Sequence, residues 1–213
     1  MNSRFRSLAV LALVMAAPAA GAQQINRAAT GLAAPAYTLD FEGQAAGTAA
    51  TTQYTGQGVF FGTRSFYTAS GWFAGSGGGN GAVNNFEDGN VTSAPLDIFF
   101  TQAVRGAAFQ FITNSGTSTF TALLAGNVVS SFTGSTDTAG ESTAQWYGFD
   151  NTIAFDEIQA QAPNSSSFGY AYVADNLQVG VVATPEPASM TLVATGLIGM
   201  FGVARRRRNR AAV

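Results

Sequence analysis

Between residues 37 and 183 apolar and polar residues alternate with a period of two, the pattern of strands that bury one face. "YTLDFE" sets Tyr37, Leu39 and Phe41 against Thr38, Asp40 and Glu42. "VRGAAFQFIT" places Phe109 and Phe111 on one face, and "STFTALLAG" does the same for Phe120, Ala122 and Leu124. "NVVSSFTG", "TIAFDEIQAQ" and "SFGYAYVADNLQVG" continue the series. In the last of these Val173, Asp175, Leu177 and Val179 fall in phase, so a carboxylate is expected among core residues. Phe, Val, Thr and Tyr dominate the runs, with Gly, Asn and Ser between them at turn-like intervals. No segment between the chain ends carries a 3.6-residue apolar stripe. The pattern predicts an all-β fold of roughly nine to eleven strands, closed as a jelly-roll-like β-sandwich.

The two ends break this pattern. At the N-terminus Arg4 and Arg6 precede the apolar core "SLAVLALVMAAPAA" and the small-x-small site Ala20-Gly21-Ala22. That order of charge, apolar run and cleavage site is a signal peptide over 1–22. Residues 23–36 are Ala-rich and weakly patterned, and are expected to be a loose leader before a β-sandwich domain at 37–183. At the C-terminus Pro185 and Pro187 hold the backbone extended. An uncharged apolar run follows from 188 to 204. As a helix it spans roughly 25 Å, just under the ~30 Å hydrocarbon core. Leu192, Val193, Leu197, Ile198, Phe201 and Val203 each favour insertion by about 0.3–0.6 kcal/mol, roughly 2–4 kcal/mol together, before Ser, Thr and Gly subtract. This is a marginal single span. Arg205, Arg206, Arg207 and Arg208 supply the positive stop that would hold the tail inside and the body outside.

Pro185-Glu186-Pro187, a short apolar helix and a terminal Arg cluster, in that order over 184–213, resemble the PEP-CTERM sorting signal of Gram-negative bacteria, a tail also called an ice-binding protein C-terminal domain. Thr184 stands where that family usually has Val. The resemblance implies processing near the motif by a membrane enzyme, exosortase, and a place at the cell surface or in the extracellular matrix beside exopolysaccharide. An ordinary tail anchor is the alternative.

Composition narrows the body. The chain has no His, no Cys and no Lys, and only 10% of its residues are charged, against about 25% in typical soluble domains. The formal charge of −2 hides an asymmetry, because seven of the ten arginines lie in the end signals. The body keeps Arg27, Arg64 and Arg105 against eleven acids, about −8. Such a surface does not suit nucleic acid, which needs basic residues. It is compatible with divalent cations and neutral glycans. No disulfide braces the fold. A Ser-His-Asp triad, a Cys nucleophile, a Schiff-base lysine and the usual zinc ligands are all excluded by residue type. The Gly-rich stretch "GWFAGSGGGNGAVNN" lacks Gly-Lys-Ser/Thr and is no phosphate cradle.

Carboxylates are the remaining acid–base groups. Glu87 with Asp88, or Asp156 with Glu157, are neighbours that point to opposite faces of a strand, so neither pair forms a glycosidase dyad by itself. A calcium site is the better candidate. Asp40 and Glu42 share a face in the first sandwich strand, Asp175 lies in the last, and first and last strands are often neighbours in jelly rolls. Calcium takes six to eight oxygens from carboxylates and carbonyls. The early "DFEG", the following "YTGQGVFFG" and the late "YVADNLQV" also loosely resemble jelly-roll carbohydrate-binding modules, which implies one structural calcium of this kind. For a glycan platform the candidates are Trp72 and Tyr67, which flank the Gly-rich loop, and Trp146 in another turn-rich region. Three readings follow: a surface protein that binds exopolysaccharide, a structural or adhesive matrix protein without a defined ligand, and a carboxylate-based glycan hydrolase or lyase.

Overall fold

The computed structural model describes residues 23–68, 81–87, 90–91, 93–136, 145–164 and 169–182. The two segments read above as end signals, including Pro185-Glu186-Pro187 and Arg205–Arg208, and Trp72 lie outside the described residues. Among the described residues there is no helix long and apolar enough to cross a membrane.

The fold is all-β. Its strands are β1 (Gln23–Ala28), β2 (Tyr37–Leu39), β3 (Val59–Phe61), β4 (Phe66–Thr68), β5 (Ala82–Asn84), β6 (Phe86–Glu87), β7 (Asn90–Val91), β8 (Leu96–Thr113), β9 (Gly116–Leu124), β10 (Asn127–Thr136), β11 (Gln145–Gln161) and β12 (Tyr172–Val179). Ten of them form one sheet with antiparallel pairings, and β6 pairs with β7 apart from it. Two strands are far longer than their local patterns predicted: β8 has 18 residues and β11 has 17. Each changes layer part-way along. The first half of β8 pairs with β3 and the second half of β11. Its second half pairs with β12 and the first half of β11. The change falls where the β8–β11 register slips, between Asp150 and Phe155 and again between Phe155 and Glu157. Bulges that bend strands in this way let one continuous sheet fold over on itself.

One layer therefore reads β10-β9-β11-β8-β3, and the other β1-β11-β8-β12 with β2 and β5 side by side on the outer edge of β12. Aromatic rings fill the space between layers. Phe111 on β8 meets Phe120 on β9 with centroids 5.5 Å apart, Phe132 on β10 meets Phe149 on β11 at 5.2 Å, and Phe120 stacks on Tyr147 at 4.8 Å. None of these pairs is hydrogen-bonded strand to strand at these positions, so the contacts are face to face across a sandwich. Phe109, Phe111, Phe120, Tyr147, Phe149 and Phe155 are fully buried. Edge-to-face and offset pairs of this kind add about 0.5–1.5 kcal/mol each beyond simple burial.

Three local findings stand out, and the first and last depart from the sequence expectations. The 23–36 segment is not a loose leader: β1 pairs with β11, and Ile25 and Leu32 pack with Ala108 and Trp146. The β9–β10 hairpin closes through Ala125 (φ 49°) and Gly126 (φ 76°), the paired positive φ of a two-residue hairpin turn. Ala125 is held in that costly conformation by both carboxylate oxygens of Asp156, which accept from its N–H at 3.1 Å. Finally, β12 does not keep one phase. Tyr172, Ala174, Leu177 and Val179 belong to the main core, whereas Val173 packs with Ile112 and Ala82 on the other face. Asn176 adopts φ 51°, and three steps along β12 from Asp175 to Gln178 match two along β8. This bulge turns Asp175 away from Leu177 and Val179.

Candidate functional site

The bulge places Asp175 at a notch in the sheet edge. β5 pairs with β12 only at Val173 and Ala174, and β2 only from Leu177 to Val179, so Asp175 and Asn176 sit between the two short strands. The chain leaving β2 turns at this point. Asp40 Oδ1 accepts from the Glu42 N–H at 3.2 Å, and the Phe41 between them has φ 57° with its ring in the core. Gly81 lets that turn approach β5: a Cβ there would overlap the Phe41 carbonyl oxygen and stand 2.9 Å from Glu42 N. The Asp175 carboxylate, 4% exposed, accepts from the Asn176 N–H at 2.6 Å, and Asn176 Nδ2 donates to Gln110 Oε1 at 2.7 Å. Asp40 and Glu42 are exposed.

Of the three acids picked from the sequence, Asp40 and Glu42 lie near enough for their charges to act on Asp175. Burial pushes the Asp175 carboxyl up to about 7; the Asn176 N–H opposes this, and the charges of Glu42 and Asp40 add to it. With the folded value above the unfolded one, the folded chain holds the extra proton between about pH 4 and 7. Stability from this group is therefore greatest at the acid end of that window and is lost as pH rises through it. In a metal-free buffer the melting temperature should fall by several degrees between about pH 5 and pH 8, an effect on the order of a few kcal/mol. Asp175→Asn, which keeps an oxygen for the Asn176 N–H, should flatten that profile. An equally steep profile in the variant would assign the pH dependence elsewhere. Among the described residues no three His, Cys, Asp or Glu side chains converge closely enough to hold a metal by themselves.

The aromatic candidates have a different fate. Tyr67, 1% exposed, lies in the core beside Tyr54 and has no open ring face; burial raises its phenol strongly. Trp146 is partly buried under the N-terminal segment, where a Cβ on Gly31 would come within 2.6 Å of its Cε3. Neither offers the flat exposed surface that sugar stacking needs. An open cleft of about 300 Å³ near the chain's described end is lined by Tyr37, Gln57, Thr101, Gln102 and Val182, with no charged side chain.

The outer face of the β10-β9-β11-β8-β3 layer carries groups that residue-by-residue reading missed. Phe60 and Phe99 lie directly opposite each other on β3 and β8 and stack at 4.9 Å and 14°, partly exposed and outside the core cluster. Next to this pair the register aligns Asp97, Gln159 and Thr121 across β8, β11 and β9. Glu157 is on the same face of β11, and Gln159 Nε2 donates to its Oε1 at 2.9 Å. Asp97 Oδ1 is enclosed with no hydrogen-bond partner among the described residues. Burial raises the Asp97 carboxyl, partly offset by the nearby Gln159 amide. Burial also raises Glu157, and the charge of Asp97 adds to it. Asp156, the other half of the sequence pair, is engaged with Ala125 at the hairpin turn. Of Glu87 and Asp88, neither side chain lies within the described residues.

Comparison with known proteins bears on the two parts of the chain separately. No match was found among curated proteins. Among solved structures, a mutant of a family 29 carbohydrate-binding module is similar at 12% identity and a TM-score of 0.34, over 75% of this chain and 91% of that one. Residues 183–208 match the model of the PEP-CTERM protein-sorting motif. Such a motif implies export and membrane-anchored sorting to the cell surface by an exosortase. The chain thus joins described residues that form an all-β fold to a PEP-CTERM protein-sorting motif at 183–208.

Proposed function

We propose that this is a cell-surface or extracellular-matrix protein of a Gram-negative bacterium whose jelly-roll-like sandwich associates with exopolysaccharide, and that its role is binding rather than catalysis. The observation that carries this reading is the sorting motif at 183–208, joined to a body that is acidic, free of Lys and His, and rich in Ser, Thr, Asn and Gln. A polyhydroxylated partner exchanges hydrogen bonds with such a surface without needing opposite charge. The signal peptide delivers the chain to the inner membrane. The marginal 188–204 span and Arg205–Arg208 hold it there until an exosortase acts near Pro185-Glu186-Pro187. Cells unable to make exopolysaccharide should release the processed protein into the medium, whereas producing cells keep it in the matrix fraction. Equal retention in both strains would favour a structural or adhesive matrix protein without a glycan ligand.

A calcium ion at the Asp175 notch belongs to the same reading. Two like charges, Asp40 and Glu42, beside the buried Asp175 carboxylate are the environment that a divalent cation relieves. Asp40, Glu42 and Asp175 would hold it, with the remaining oxygens drawn from backbone carbonyls, a ligand set that calcium accepts. The ion would supply charge neutralisation between the β2 turn and β12 and take no part in chemistry. Melting in millimolar calcium should then occur several degrees above melting in chelator, with the gap lost in Asp175→Asn. Identical curves would remove calcium from the account.

A further inference from the structure

We propose that the outer face of the β3-β8-β11-β9 layer, centred on the Phe60–Phe99 stack and the Asp97-Gln159-Thr121 row, is the site that takes a neutral polysaccharide strand. The inference rests on the glycan reading above and assigns it a place. The two rings stack on one another outside the core cluster and stay partly exposed, and sugar C–H groups pack on the ring surface that such a stack leaves open. Beside them the side chains are rich in acceptors. Asp97 Oδ1 has no donor among the described residues, and the Gln159 amide is shared with Glu157. Asp97 Oδ1 is itself enclosed, so the polymer's hydroxyls would meet the partly exposed Gln159, Glu157 and Thr121 of the same face. Gly62, whose N–H donates to the Asp97 carbonyl, keeps the flank open: a Cβ there would stand 3.1 Å from Asp97 Oδ2.

Charge selects the class of ligand. Asp97 and Glu157 share this face, Asp156 lies at its margin, and no Arg is placed on these stretches of β3, β8, β9 or β11. An acidic polymer would be repelled, and a lone cation would find fewer than three acidic ligands here. A neutral chain meets both the rings and the acceptors.

The test uses the protein as released by its producing cells, and those cells' own exopolysaccharide separated by anion exchange into neutral and acidic fractions. Wild type should be retained on the neutral fraction. Phe99→Leu, which keeps bulk but loses the flat face, and Gln159→Ala should each weaken retention by about tenfold, the change expected for losing one good contact. Thr38→Ala, on the exposed side of β2, should bind as wild type, and melting curves identify any variant that fails to fold. Wild-type retention unchanged in both face variants would overturn the face and leave the glycan role standing elsewhere. Retention on the acidic fraction alone would overturn the neutral class. No wild-type retention on either fraction would overturn the face and the glycan role together. A wild-type dimer that Phe99→Leu dissociates without polysaccharide would assign the face to a second copy of the chain instead.

Discussion

Gly148→Ala should destabilise the sandwich by about 3 kcal/mol or more, among the largest effects available to a single methyl group. Gly148 sits in β11 opposite Ala108 of β8, with φ 156°. A Cβ there would overlap the Ala107 carbonyl oxygen and lie 2.6 Å from Ala108 Cα. These are backbone atoms of the paired strand, so no side chain can rotate out of the way. Relief requires β8 and β11 to move apart, and both strands contribute to both layers. The residues on either side, Tyr147 and Phe149, are fully buried against Phe120 and Phe132, so the displacement would open the centre of the core. Gly126→Ala is the control. It also sits at positive φ, 76°, but a Cβ there meets nothing within 4 Å. Its cost should be limited to backbone strain, about 1–2 kcal/mol. Urea unfolding of the three proteins measures the difference. Equal losses at the two glycines would contradict the close approach of β8 and β11.

Replacing Arg205–Arg208 together by Gln should reduce the processed, surface-delivered protein at least tenfold. The span before the cluster contributes only roughly 2–4 kcal/mol to insertion. Each arginine, by contrast, opposes passage through the bilayer centre by about 2.5–3.5 kcal/mol. On the proposed reading the cluster would outweigh the apolar run in holding the tail across the membrane. Without it the tail would, on that reading, be free to be drawn through, and Pro185-Glu186-Pro187 would no longer be presented at a fixed depth. Blotting membrane, periplasmic and medium fractions for precursor and processed forms reads this directly. Unchanged processing would show that the arginines are not the stop.

Much of the sandwich was legible because burial on one face imposes alternation. Phe109 with Phe111, and Phe120 with Ala122, are buried together as their spacing implied. Leu124 left the expected series where the strand enters its hairpin turn, and Leu123 is the more buried of the two. What could not be read was where a strand continues through a bend. β8 changes layer without a proline or a run of turn residues, whereas β11 does so through Asp150-Asn151-Thr152, which reads as a turn, so each looked like a shorter strand. The bulge at Asn176 is the same difficulty on a smaller scale. A single left-handed residue reversed the facing of Asp175 relative to Leu177, yet the neighbourhood of Asp40, Glu42 and Asp175 follows from the adjacency of β2 and β12.

The candidate binding residues were harder. Aromatic residues near glycine looked available, but Tyr67 is absorbed by the core and Trp146 is covered by a segment that had no visible pattern. The Phe60–Phe99 pair and the Asp97-Gln159-Thr121 row are assembled from strands distant in the chain. Only the register of β3, β8, β11 and β9 brings them together, and register is set by tertiary packing rather than local composition.

The central claim is that a sorted surface protein holds exopolysaccharide. The most direct measurement is retention of the released wild-type protein on a column of the producing cells' own exopolysaccharide, run once with calcium and once with chelator. The account predicts selective retention relative to an unrelated polysaccharide in both buffers, because the proposed face lies apart from the Asp175 notch and takes a neutral polymer. Passage through the column in both buffers would contradict it, leaving a protein that is sorted to the surface but does not bind the polymer.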